Sequence, residues 1–185
     1  NLLDVTMEDL HDMPQQLYEG KITKLREKTQ GQLVIKEYPT ASAHSGHFKS
    51  LMNELALKKS FRPDVIFIDY LNICASSRFK GGNISSYFYV KAIAEELRGL
   101  AVEFNVPIFS ATQTTRTGYV STDIGLEDTS ESFGLPATAD FMFALISNEE
   151  LEALGQMKVK QLKNRYNDPS INRAFIIGVD RAKMR

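Results

Sequence analysis

PDVIFIDYLNI, residues 63–73, is the stretch on which the fold turns. From Val65 to Ile68 it is continuously apolar, without the alternation of a half-exposed strand, and predicts a short strand buried on both faces. The run then delivers a carboxylate, Asp69. A buried carboxylate without a partner is costly, so the charge asks for a ligand, or for a turn that it caps.

Reading outward, the elements around this strand place it in a sheet. Residues 6–29 read as helical, with Pro14 near a helix start, and QLVIKEY (32–38) is a strand candidate. HFKSLMNELALKK sets Phe48, Leu51, Met52 and Leu55 on one helical face. After the strand at 64–70 comes ASSRFKGGNISS, a loop rich in Ser, Gly and basic residues. A long amphipathic helix then carries Val90, Ile93, Ala94, Leu97, Leu100, Ala101 and Phe104. VPIFSAT and DFMFALIS read as further strands, QMKVKQLKNR and RAFIIGVD as a closing pair joined through NDPS. Strand, helix and strand with unbroken apolar strands predict an α/β fold, a mainly parallel sheet flanked by helices with a C-terminal antiparallel hairpin. In such sheets ligands sit beyond the carboxyl ends of the strands, where Asp69 and Gln113 both fall.

Bulk properties set the frame. A chain of 185 residues can bury a core, and one domain is expected. No apolar run reaches membrane-spanning length, the start is not a signal peptide, and the single cysteine, Cys74, excludes an internal disulfide and fits a reducing cytoplasm. Charge is segregated: residues 1–20 hold five acids and no Lys or Arg, 117–157 hold eight acids and none, and 158–185 hold eight Lys/Arg against two Asp. This pattern is either solvated surface or a basic edge that meets a neighbouring copy's acidic edge or a phosphate ligand.

Asp69, at the end of an apolar strand, has the Walker-B arrangement, in which a carboxylate holds Mg2+ beside nucleotide phosphates; the alternative is a strand-terminal turn cap. Gln113, just past the next strand, offers an uncharged amide to a terminal phosphate or a water, or is simply a loop residue. Arg116 follows it and can meet a phosphate, DNA or solvent. Lys163 and Arg165, two apart on a strand, project to one face, which suits a polyphosphate or protects a basic sheet edge from mispairing. Arg78, Lys80, Gly81 and Gly82, with Tyr87, Phe88 and Tyr89 close behind, make a loop able to track a single-stranded backbone. The loop at 116–128 adds Arg116, Thr117 and Tyr119 before turning acidic. His44 and His47 lack other metal-spaced ligands and read as surface residues, and no base flanks Cys74 to make it a nucleophile. A phosphate-cradling G-x-x-x-x-G-K-[ST] is absent: EGKIT (19–23) has Gln15 and Ile22 where Gly and Ser/Thr are needed.

Taken in order, PDVIFIDYLNI, AIAEELRGLAVEFNVPIFSATQTTR, SESFGLPATADFMFALI and VKQLKNRYND resemble the RecA-like motor domain of DnaB-type replicative helicases, most closely the T-even-phage type, over nearly the whole chain. The resemblance implies a P-loop NTPase core that uses ATP and Mg2+. It makes Asp69 the Walker-B aspartate and metal ligand, Gln113 the phosphate sensor and Arg116 the arginine after it. Lys163 and Arg165 become the Lys-x-Arg pair that reaches a neighbouring subunit's ATP site. The loops at 75–86 and 116–128, with Arg78, Lys80, Gly81, Gly82 and Arg116, would line the channel of a homo-hexamer moving 5′ to 3′ on single-stranded DNA. Primase and a helicase loader are the implied partners, with no membrane and a bacterial host's cytoplasm as the setting.

In that family the P-loop and catalytic glutamate precede the position of Asn1, so residues 1–185 are expected to be a partial motor domain, inactive alone. A strand-exchange recombinase shares the fold, the Walker-B aspartate and the DNA loops, but the Lys-x-Arg pair and GLPATAD favour the helicase. A non-catalytic RecA-fold module is the remaining alternative.

Overall fold

A computed structural model describes residues 2–79, 84–114, 124–128 and 134–185. Its helices are α1 (Met7–Asp12), α2 (Gln15–Lys28), α3 (Ser45–Lys59), α4 (Ser86–Phe104), α5 (Gly134–Thr138) and α6 (Glu149–Ala153). Its strands are β1 (Ile66–Ile68), β2 (Ile108–Ser110), β3 (Phe141–Ile146), β4 (Gln156–Asn164) and β5 (Ala174–Gly178). The chain forms two compact units, one of residues 37–144 and 160–173 and one of 1–36, 145–159 and 174–185.

The first unit is built around α4. Its apolar residues recur at helical spacing, and Val90, Ile93, Ala94, Leu97 and Leu100 are all buried. The helix stops where Asn105 turns left-handed (φ 51°) and its N–H closes onto the Ala101 carbonyl. Ile93, 1% exposed, packs with Leu97, Leu71, Cys74 and Leu135 against Phe48, Ile68 and Tyr89. Each fully buried side chain of this size stabilises by about 1.5–3 kcal/mol.

α3 starts without a Ser, Thr or Asp. His44 Nδ1 accepts the Gly46 N–H at 3.0 Å and His47 Nδ1 accepts the His44 N–H at 3.2 Å. The two histidines that read as surface residues are thus the helix cap.

β1 and β2 are parallel, with Ile66, Phe67 and Ile68 opposite Ile108, Phe109 and Ser110. The expectation of a strand buried on both faces is corrected here. Ile66 and Ile68 are half-buried, but Phe67 is 73% and Phe109 55% exposed, and the two rings stack at 5.4 Å. The run is apolar on both faces, yet the described elements cover only one. Asp69 is likewise exposed, so its charge carries no burial penalty.

The second sheet has the order β3-β4-β5. The Gln161 N–H bonds the Arg173 carbonyl and the Val179 N–H bonds the Gly155 carbonyl, so β4 and β5 run antiparallel as the expected hairpin. Its turn is held by Asn164 Oδ1, which accepts the Tyr166 and Asn167 N–H groups, both at 3.0 Å.

In the second unit, Thr6 caps α1, and Pro14 stands at the start of α2 as the sequence predicts. QLVIKEY is not a strand: residues 32–38 form no regular element and pair with no described strand, and Leu33 and Ile35 are each 83% exposed. An apolar stretch without a ladder partner gains too little to form a sheet edge. The segregated charges resolve partly within this unit. Asp4 meets Lys183 at 2.7 Å and Arg185 at 3.0 Å, and Glu152 meets Arg181 at 2.6 Å, so these acidic and basic segments are one another's partners. Among the described residues no helix is long and apolar enough to cross a membrane.

Candidate functional site

The carboxyl ends of β1 and β2 are sewn together by side chains. Ser110 Oγ donates to the Ile68 carbonyl (2.8 Å), Thr112 Oγ1 to Asn72 Oδ1 (2.8 Å), and the Leu71 N–H to the Ala111 carbonyl (3.2 Å). Gln113 Nε2 donates to Tyr70 Oη at 3.3 Å, which sets the amide over the residue that follows Asp69. The Asp69–Tyr70 peptide is cis. Among the described residues Asp69 makes no hydrogen bond or ion pair, and none forms a cluster of three or more metal-ligating side chains. A single solvated carboxylate is what Mg2+ uses when water and phosphate oxygens complete its shell, so the residues present fit that ion. Asp69 and Gln113 therefore share one sheet edge, as the sequence predicts.

A second cluster gathers at the C-terminal end of α5. Lys163 Nζ donates to the Pro136 carbonyl at 2.5 Å and to the Ala137 carbonyl at 3.4 Å. Arg165 Nη2 donates to the same Ala137 carbonyl at 3.1 Å, so the two cations do project together. Asp140 joins them: one oxygen, Oδ1, takes Arg98 Nη1 at 2.7 Å and Arg165 Nη1 at 3.1 Å. Arg98 also donates to the Thr138 carbonyl at 2.7 Å. Three cations thus face one carboxylate and three backbone carbonyls. Desolvation by partial burial, then repulsion from the neighbouring Arg165, lowers the Lys163 pKa.

The basic loop has its own anchor. Arg78 Nη1 lies 2.6 Å from Glu95 Oε2, and Glu96 binds the Ser76 hydroxyl and both the N–H and the hydroxyl of Ser77. Cys74 is buried in the core, where desolvation raises its thiol pKa, so it offers no nucleophile. Four further predicted positions, Lys80, Gly81, Gly82 and Arg116, lie outside the described residues, as do Thr117 and Tyr119. Of the loop at 116–128 only residues 124–128 are described, and the Ile124 carbonyl there accepts from the buried Lys160 at 2.7 Å.

No family model matches the chain. Its sequence is 46% identical over 188 residues to the DnaB-like replicative helicase of Enterobacteria phage T4, a match that takes in all of this chain and 40% of that protein's length. Among solved structures it superposes on an ATPase domain with a TM-score of 0.73 at 17% identity, covering 95% of this chain and 62% of that one. A DnaB-like replicative helicase described with its interactions with primase gives a TM-score of 0.72 at 16% identity, over 95% and 43%.

The chain is thus similar, over its whole length, to part of a DnaB-like replicative helicase. Its fold is the RecA-like ATPase fold of those helicases, with the parallel β1–β2 pair, flanking helices and closing hairpin. Within this fold, sequence reasoning missed four residues that organise the charged clusters: Glu95, Glu96, Arg98 and Asp140. A signal for Glu96 was present, since it lies three residues after Ile93 and four before Leu100, at the rim of the buried face of α4. Asp140 and Arg98, 42 residues apart, meet only through the fold.

Proposed function

We propose that this chain is the larger part of the ATP-driven motor of a replicative DNA helicase, which as a homo-hexamer moves 5′ to 3′ along single-stranded DNA in the host cytoplasm and works with a primase and a loader. The observation that carries the reading is the β1–β2 edge, where Asp69 is solvated and unpartnered among the described residues and Gln113 is held beside it through Tyr70. The match with the phage T4 helicase along the whole chain supports it.

Asp69 would hold Mg2+ through its water shell, and bound Mg2+ neutralises phosphate charge as the terminal phosphoryl group departs. Gln113 would orient a water or a phosphate oxygen through its amide. Lys163 and Arg165, fixed on the end of α5, would present their charges to nucleotide on an adjoining subunit. Their surplus positive charge is what an incoming polyphosphate relieves.

The chain has no G-x-x-x-x-G-K-[ST], so it is expected to show no appreciable ATP hydrolysis alone. Fused behind the upstream portion of its phage T4 relative, it should hydrolyse ATP, and Arg165→Ala should lower kcat on the order of a thousandfold. Mixed with Asp69→Ala subunits, Arg165→Ala subunits should regain activity, because each lacks a different half of a shared site. Robust Asp69-dependent hydrolysis by the chain alone, or no recovery in any mixture, would count against this reading.

A further inference from the structure

Glu96 is surrounded by donors that carry no charge. Its Oε1 accepts Ser76 Oγ–H at 2.6 Å and the Ser77 N–H at 3.0 Å; its Oε2 accepts Ser77 Oγ–H at 2.7 Å, the Ser77 N–H at 2.9 Å and Ser45 Oγ–H at 2.8 Å. The Arg78 N–H approaches Oε1 at 3.3 Å, and Tyr89 Oη takes the Ser76 N–H at 3.1 Å. One carboxylate on α4 thereby fixes the backbone of Ser77 and Arg78, holds the Ser76 hydroxyl and ties the loop to the start of α3. Partial burial, the largest influence, pushes the Glu96 pKa up, but the hydrogen bonds together outweigh it and hold it at about 2.

The preceding residue acts on the side chain instead. Glu95 Oε2 takes the Arg78 guanidinium at 2.6 Å, while its Oε1 lies 3.9 Å from Lys91 Nζ. A guanidinium pairs with a carboxylate and with a phosphate in the same forked manner, so Glu95 occupies the group a nucleic-acid backbone would want.

We propose that Glu96 is the positioning residue that holds the Arg78 loop in its single-strand-binding conformation, and that Glu95 is a displaceable stand-in for phosphate on Arg78. The inference rests on the reading of this loop as a contact for single-stranded DNA. Its signature is a difference in sign. If the two acids acted only through net charge, neutralising either would strengthen DNA binding equally. Here they oppose each other: Glu95→Gln liberates Arg78, whereas Glu96→Gln leaves loop N–H groups facing an amide that accepts through only one atom.

The test is fluorescence anisotropy of an oligo-dT on the 185-residue chain across a range of low salt concentrations, with amide hydrogen exchange read in parallel. Glu96→Gln should weaken binding about tenfold and speed exchange at Ser77 and Arg78 while the α4 core stays protected. Glu95→Gln should tighten binding about two- to fivefold without altering loop exchange. Arg78→Ala should weaken binding and flatten the log–log salt slope by about 0.7. Glu96→Asp tests rescue, since it keeps the charge and should recover part of both signals. Equal tightening by both Gln variants, or unchanged exchange at Ser77 in Glu96→Gln, overturns the role given to Glu96. No binding by the native chain at any salt, with the exchange effect intact, overturns instead the DNA reading on which the inference rests.

Discussion

Glu96, a residue of α4, and Asp140, paired with Arg98 two residues further along that helix, are both carboxylates, yet the first is ringed by neutral donors and the second by two guanidinium groups with Lys163 beside them. Neutral donors leave the charge of Glu96 intact and spend it on geometry, because each N–H or O–H has one place to point. Cations do the reverse at Asp140. They more than cancel its charge and leave a positive surplus at the end of α5, where they also bind the carbonyls of Pro136, Ala137 and Thr138. The loop network is therefore suited to holding a shape, and the α5 network to meeting an anion.

The contrast breaks most completely at Leu97, which lies between the two networks in sequence and is 5% exposed. Leu97→Ala should cost about 2–5 kcal/mol in urea unfolding and loosen both clusters at once, since neither survives displacement of α4.

Acid separates them next. The folded pKa of Glu96, about 2, lies below the ordinary 4.5, so its stabilisation is present above pH 4.5 and is lost as pH falls toward 2. A pH series of urea midpoints should show a smaller loss across that window in Glu96→Gln than in the native chain. An identical loss would mean that the neutral donors do not hold the charged form.

Salt gives the smallest effect. The Arg98–Asp140 pair is partly exposed, with side chains 38% and 31% accessible. An Arg98→Ala/Asp140→Ala double-mutant cycle should return a coupling under about 1 kcal/mol that shrinks in concentrated salt. The Ser77–Glu96 coupling should change less, because neutral donors give up less to counterions.

Much of this was legible before any coordinates. The spacing of Ile93, Leu97 and Leu100 specified α4, and the i, i+2 pattern put Lys163 and Arg165 together at the end of β4. The β1–β2 edge with Asp69 and Gln113 followed from unbroken apolar runs. Illegible were features set by distant partners or by absent ones. Asp140 meets Arg98 and Arg165 only after α4, α5 and β4 pack, and the histidine cap on α3 uses an acceptor nitrogen rather than the usual hydroxyl or carboxylate. Residues 32–38 carry a strand's composition but join no strand among the described residues. β1 carries the composition of a doubly covered strand, and the described residues cover one face of it.

That last feature bears on how the chain behaves in the hand. A row of aromatic surface, Phe67 on Phe109 beside exposed Val65, lies on a pair of short strands with ladder bonds still open along β2. Apolar patches and open edges of this kind recruit hydrophobic dyes and one another. A preparation of the protein is therefore expected to bind hydrophobic dyes at that strip, a net charge of −1 offering little repulsion against self-association.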